Sequence, residues 1–295
     1  DQSGDAVGDA HDGRADGHLA GDASGFALFA VAGIVYCLAL VPTALSTSPS
    51  PAPLTSVSLN LAALWANSPV AVVASFLVGV SNASFGALAA VYAGQIGLGL
   101  TSIALFASIP VIAGAAAQIP IGFLSDRLDR RVVLVGVAAL ALCADLAFVL
   151  LAPEGRTPNL VLVGVFGAAV FAMYPIIIAH ANDHAPPGTS IQVSGGLLMV
   201  FGLGSIVGPL GAGLFMADLG PRGLFVTTVA AHVLMIAFSL YRMARSPAVA
   251  AEEKGAFQPI PSLRAATPET AALAGGEEEA RDLVPEDVRP GPDPT

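Results

Sequence analysis

Long apolar stretches, broken by short polar clusters, dominate this chain. Seven can be marked off, at about 26–45, 68–93, 99–124, 131–152, 158–181, 190–217 and 223–243. The clusters between them are turn-forming: PSPAP at 49–53, Gly94 to Gly99, SDRLDRR, PEGRTP, HAPPG and DLGPRG. Each stretch is close to the ~20 residues that, as a helix, cover the ~30 Å hydrocarbon core of a bilayer. In lipid the backbone must satisfy its own polar groups, which helices do. None of the stretches alternates polar with apolar residues, as barrel strands would. The pattern predicts an all-α polytopic membrane protein with seven transmembrane helices.

Composition strengthens this reading. Of 295 residues, 55% belong to the AVILMFWYC set and 12% are charged, against about 25% charged in soluble domains. Phe26 to Ser125 contains no Asp, Glu, Lys or Arg at all. Such a run excludes a soluble globular fold, which needs a wet surface. It also excludes disorder in the middle of the chain, because disorder goes with low hydropathy and high charge.

The formal net charge of −10 sits at the two ends. Residues 1–25 carry −5, residues 246–295 carry −6, and residues 26–245 carry +1. The acidity therefore calls for no basic partner, and no nucleic-acid partner is expected. The segments 1–25 and 244–295 are poor in large apolar residues and are expected to be disordered and acidic. No short apolar secretory signal with a basic start precedes the core. Cys37 and Cys143 lie inside apolar runs and read as small buried residues.

Arginines in short loops set the orientation. Arg127, Arg130, Arg131, Arg242 and Arg245 fall on one side of a seven-span arrangement, against Arg156, Arg222 and the more distant Arg14 on the other. The SDRLDRR loop and the C-terminus are therefore expected in the cytoplasm, with residue 26 outside. A first span entering from outside is easier to place if further helices precede it. Residues 46–67 form a cytoplasmic linker. Its last part, LNLAALWA, is too short to span, and Trp65 suits a turn of helix at the membrane interface.

The sharpest motif is Gly122-x-Leu124-x-Asp126-Arg127-x-x-Arg130-Arg131, in a tight loop between two spans. It resembles the loop that follows the second helix of each six-helix half in the major facilitator superfamily (MFS). Asp129 stands where that signature usually has glycine. The resemblance implies that Gly122 lets two helices approach, that Asp126 faces a helix N-terminus in the opposite half, and that Arg127, Arg130 and Arg131 brace the loop. Gly204, Gly208 and Pro209 agree, resembling the Gly-Pro run of the family's fifth helix. Small residues at this spacing pack helices closely, and the proline invites a bend. YPIIIAHANDHAPPG at 174–188 looks like a bacterial branch of the same family.

The resemblance fixes a register. Residues 26–45 would be the sixth helix of a twelve-helix permease, and 68–243 a six-helix C-terminal half. The expected function is secondary-active or facilitative transport of a small solute across the bacterial cytoplasmic (inner) membrane, by rocker-switch alternating access. The expected partners are the lipid bilayer, the solute and an N-terminal half absent from this chain. No cofactor, metal site or catalytic residue is called for.

Polar residues inside spans are expensive and therefore candidates. Ser81, Asn82, Ser84, Tyr174, Gln192 and Ser194 are the cavity candidates for substrate binding, each also open to a helix-packing reading. Tyr92 lies near the outer end of its span, and Gln118 reads as a packing or gate residue. Asp145 is the only acid inside a span and a candidate proton carrier, although no basic partner for it is evident in any span. His180 and Asp183, with Asn182 and His184, cluster at the inner end of their span and read as a gate or a titratable latch; with Asp145, His180 and Asp183 are the candidates for proton coupling. His232 reads as a packing or lipid-interface residue.

Two other classes compete. A seven-helix receptor or sensor fits the span count, but a retinal protein would need a lysine in the last span, which has none. An intramembrane enzyme has little to build on. There is no HExxH and no pair of intramembrane carboxylates, and Gly79-Val80-Ser81-Asn82-Ala83 only loosely mimics a nucleophile elbow.

Overall fold

A computed structural model describes residues 27–45, 60–186 and 188–245. The acidic segment expected at 1–25, all but residues 244 and 245 of the one expected at 244–295, and residues 46–59 of the linker lie outside the described residues. Among the described residues every regular element is helical.

The chain divides into two compact units, residues 1–55 and 56–295. The first contains α1 (Ala27–Ala44), whose strongly apolar part is the shorter stretch Phe29–Pro42.

The second unit starts with a short helix, α2 (Leu61–Asn67), capped by Asn60, whose Oδ1 accepts from the Ala63 N–H at 2.9 Å. It leads through Ser68 into α3 (Pro69–Gln95). Proline at the first helical position suits that start, because its missing N–H would have had no partner there. Then come α4 (Leu100–Arg127), α5 (Arg130–Leu146) with a π turn at Ala147–Leu151, α6 (Arg156–Asn182), α7 (Ser190–Leu219) and α8 (Gly223–Met243). Four continuous apolar stretches, α3, α4, α5 with its π turn, and α6, run 22 to 28 residues. A fifth, the 54-residue stretch Ser190–Met243, is broken into α7 and α8 by a 3-10 turn at Gly220–Arg222. The protein is an all-α, multi-pass integral membrane protein.

The predicted loop after the third span is shorter than its sequence suggests. The i−4 ladder continues through Ser125, Asp126 and Arg127, and the Leu128 N–H still donates to the Leu124 carbonyl at 3.0 Å. Only Leu128 and Asp129 separate α4 from α5.

The helices of the second unit pack in pairs. The most extensive seams are α3 on α7 and α4 on α6; α5 lies on α6 and α8, and α8 also on α3. Glycine decides the first seam. A Cβ on Gly204 would collide with the Phe76 carbonyl, one on Gly208 with the Val80 carbonyl, and one on Gly79 with the Phe201 carbonyl. The two backbones therefore touch, and Ser75 adds a hydrogen bond across, donating from Oγ to the Leu197 carbonyl at 2.8 Å. The α4–α6 seam uses the same device at Gly114, against Phe171, and at Gly167, against Pro110. Between the seams lies a block of rings, in which Phe148 and Phe225 stack at 3.9 Å and Tyr92 meets Phe225 edge-on at 4.9 Å.

Large apolar side chains point outward, among them Ile112, Phe123, Leu210 and Leu214. Lipid makes such a surface stable. The same fact corrects the reading of the cysteines: Cys37 and Cys143 are free and exposed on their helices. When lipid is the solvent, an apolar neighbourhood in sequence does not imply burial.

Candidate functional site

Four helices, α3, α4, α6 and α7, enclose a half-open cavity of about 400 Å³. Asn82, Phe85 and a run of alanines line it from α3, Ala107 and Val111 from α4, Phe171 from α6, and Phe201 and Ser205 from α7. The volume is within the usual ~300–1,000 Å³ range of small-molecule sites. Neither α5 nor α8 contributes a lining side chain.

The polar candidates divide on inspection. Asn82 lines the cavity, and its Oδ1 is buried without a hydrogen-bond partner among the described residues. Ser81, the next residue round the helix, is fully buried with its hydroxyl also unpartnered. Ser84 faces α7: its hydroxyl donates to the Val80 carbonyl at 2.7 Å and lies where a side chain on Gly208 would go. Tyr174 stands behind the wall, its ring 5.1 Å from Phe201 and its hydroxyl buried and unpartnered. Gln192 is exposed and Ser194 buried in the first turns of α7, roughly 10–14 Å along the helix from Phe201. Gln118 donates from Nε2 to the Phe171 carbonyl at 3.4 Å, bracing α4 on α6. Ser81-Asn82 sits inside α3, with no strand-to-helix turn to make a nucleophile elbow.

A second cluster gathers where α4, α5 and α6 meet. Arg130 is almost fully buried and gathers both sides of it. Its Nε donates to Asp183 Oδ2 at 2.6 Å, and its Nη1 donates to Asp126 Oδ1 at 3.2 Å and to the Ser125 hydroxyl at 3.3 Å. One guanidinium thus ties the end of α4 to the end of α6. Arg131 turns to Asp129, with Nη2 to Oδ2 at 2.9 Å. Arg127 is exposed and Gly122 buried. Asp129 itself is the N-cap of α5, accepting from the Arg131 N–H at 2.9 Å. Its φ of −58° needs no glycine, which explains how an aspartate can stand there. Burial pushes the Asp129 carboxyl up, but the side-chain and backbone hydrogen bonds from Arg131 outweigh it and hold the group below its ordinary range. His180 is buried nearby, its ring 4.6 Å from that of His184.

The third centre corrects the sequence reading. Asp145 does have a partner in the spans. His232 Nδ1 on α8 lies 2.6 Å from Asp145 Oδ2, and the Thr228 hydroxyl donates to Oδ1 at 2.7 Å. Both Asp145 and His232 are fully buried, so His232 does not face lipid. The signal that could have found the pair is a four-residue spacing, Thr228 and His232 on one face of a helix. Neither Asp145 nor His232 lines the cavity. No group of three or more His, Cys, Asp or Glu able to hold a metal occurs among the described residues.

A profile of the Major Facilitator Superfamily matches residues 71–275. The chain belongs to the Major Facilitator Superfamily. Among MFS relatives it is similar to the uncharacterized MFS-type transporter YfkF of Bacillus subtilis, 33% identical over 156 residues, 51% of this chain and 37% of that one. It is also similar to the uncharacterized MFS-type transporter YcaD of Shigella flexneri, 25% identical over 169 residues, 57% of this chain and 43% of that one. The chain thus spans about two fifths of the length of these curated MFS relatives. A crystal structure of an auto-inhibited POT family peptide transporter superposes with a TM-score of 0.54 at 14% identity, covering 62% of this chain and 38% of the other. At that identity the likeness is one of fold.

Proposed function

We propose that α3 to α8 form the C-terminal half of an MFS transporter, helices seven to twelve, with α1 as the sixth. The half would work with an N-terminal half to move a small solute by alternating access around a site near the bilayer midplane. The observation that carries this reading is the lining of the cavity. It draws on α3, α4, α6 and α7 and leaves α5 and α8 outside, which is the division of labour that the first, second, fourth and fifth helices of an MFS half would have.

In this reading Asn82 meets the solute, and the Arg130–Asp183 contact latches the inner end. Of the three candidates for proton coupling, Asp183 belongs to that latch and His180 lies beside it. Asp145 belongs to a clasp between α5 and α8. The excess of arginine near the α4–α5 turn and after α8 supports a cytoplasmic inner end and C-terminus. The bacterial relatives support a cytoplasmic membrane as its place. The receptor alternative draws no support from the family or from these relatives.

Cysteine accessibility tests the proposal. In a background lacking Cys37 and Cys143, Ala87→Cys is introduced into the cavity and the chain is reconstituted with the five N-terminal helices that would precede α1. A membrane-impermeant maleimide should reach the cysteine from either face of the bilayer as the carrier alternates. The chain by itself should not catalyse uptake. Access from one face under every condition, or uptake by the chain alone, would contradict the reading.

A further inference from the structure

We infer that the cavity takes an uncharged solute with a ring-bearing apolar body and a single polar group that hydrogen-bonds the side-chain amide of Asn82. This inference rests on reading the cavity as the solute site.

The wall holds no Asp, Glu, Lys, Arg or His. The charges on the lining helices lie at their ends: Asp126 and Arg127 on α4, Arg156 on α6 and Asp218 on α7, with Asp183 just past α6. Asp183, the C-cap of α6, follows Phe171 by twelve residues, and Asp218 follows Ser205 by thirteen along α7, about 18–20 Å on. The Asp145–His232 clasp is turned into another seam. A carboxylate, phosphate or ammonium entering this half would be stripped of water with no countercharge, which is strongly unfavourable in an apolar site.

What the wall does offer is aromatic. Phe85, Phe171 and Phe201 face the cavity. Two of them are held by neighbours and need little ordering: Phe85 lies 5.0 Å from Phe166, and Phe201 lies 5.1 Å from Tyr174. Such rings favour offset or edge-on partners with an apolar face. Between them Ala83, Ala87 and Ala107 leave room.

The polar complement is small. Ser205 lines the cavity, but its hydroxyl already donates to the Phe201 carbonyl at 3.0 Å. Asn82 Oδ1 is buried and unpartnered. A solute hydroxyl or carbonyl there would pair with an amide that otherwise carries a desolvation cost, so one polar group is rewarded.

The test uses three benzophenone photoprobes on the full chain in lipid nanodiscs, with labelled residues mapped by mass spectrometry. They are 4-hydroxybenzophenone, its anionic relative 4-benzoylbenzoate, and cationic 4-benzoylbenzyl-trimethylammonium. The neutral probe should label cavity residues of α3, α6 and α7 saturably, and each ionic probe at least tenfold more weakly. Asn82→Leu should weaken the hydroxylated probe roughly fivefold to tenfold, the worth of one hydrogen bond, and leave unsubstituted benzophenone unchanged. Asn82→Asp, which keeps the shape, should admit the cation. Saturable cavity labelling by the ionic probes in the unaltered chain would overturn the inference while leaving the cavity as the solute site. Labelling confined to lipid-facing residues would overturn both.

Discussion

His232 on α8 and Asp145 on α5 face each other at 2.6 Å inside a seam from which solvent is fully excluded. Thr228 occupies the other carboxylate oxygen, and in the π turn that follows α5 Phe148 stacks on Phe225. The seam is a clasp of two kinds, polar and aromatic, and neither part reaches the cavity. Asp145→Leu or His232→Leu leaves a buried polar group without its partner, and each should cost about 3–5 kcal/mol. The double leucine variant should recover most of that loss, because both polar groups are gone. Reversible unfolding in mixed micelles gives the double-mutant cycle; additive single effects would refute the clasp.

The glycines of α7 should behave in two classes. Gly204→Ala and Gly208→Ala drive a methyl group into carbonyls of α3 and should destabilise by about 1–3 kcal/mol each. A methyl group on Gly202, Gly211 or Gly213 would meet nothing within 4 Å, and alanine there should be neutral or stabilising by up to about 1 kcal/mol. The check is melting temperature in detergent for all five variants, measured side by side.

That contrast shows what could be read from the sequence and what could not. The spans were legible because lipid imposes one simple rule, length times hydropathy, on every crossing segment. The closing loop was legible because its charges can only sit outside the hydrocarbon. The spacing of Gly204 and Gly208 named a packing face of α7, but that α3 is the helix it meets was not legible, since a uniformly apolar helix carries no mark of its partner. For the same reason Ser84 could not be told from Asn82, two residues away, although one is spent on its own helix and the other lines the cavity. The Asp145–His232 pair spans 87 positions, and the four-residue spacing of Thr228 and His232 marks only one side of it, without pointing to α5 as the other. Phe85, Phe171 and Phe201 give no sign of their place, because an aromatic ring in an apolar run carries no mark of facing a cavity.

Asp129 should make the α4–α5 turn sensitive to acid. Its carboxyl is held below the ordinary carboxylate range by Arg131. A lowered folded-state pKa adds stability above the unfolded value, near 3.9, and that stability is lost as pH falls through the folded value. Asp129→Asn keeps a competent helix cap but loses the charge. The variant should therefore melt below the unaltered protein at pH 6 to 7, and the gap should narrow as pH drops below about 4. A gap independent of pH would assign the role of Asp129 to capping alone.

Arg130 should tolerate no substitute at the junction of α4, α5 and α6. Its Nε and Nη1 reach two different carboxylates, Asp183 at 2.6 Å and Asp126 at 3.2 Å. Lysine carries the charge but presents a point rather than a fork, and cannot hold both in this geometry. Arg130→Lys should therefore loosen the junction of α4 and α6 nearly as much as Arg130→Gln does. The readout is a cysteine at Ser125, fully buried beside Arg130 in the unaltered protein. In a background lacking Cys37 and Cys143 it should react slowly with a water-soluble maleimide, and at least tenfold faster once Arg130 is Lys or Gln. Asp183→Asn should do the same, because it removes the shorter of the two contacts, whereas Asp126→Asn, at the longer one, should have a smaller effect. Equal protection in all four variants would mean that packing alone, without the guanidinium, closes this junction.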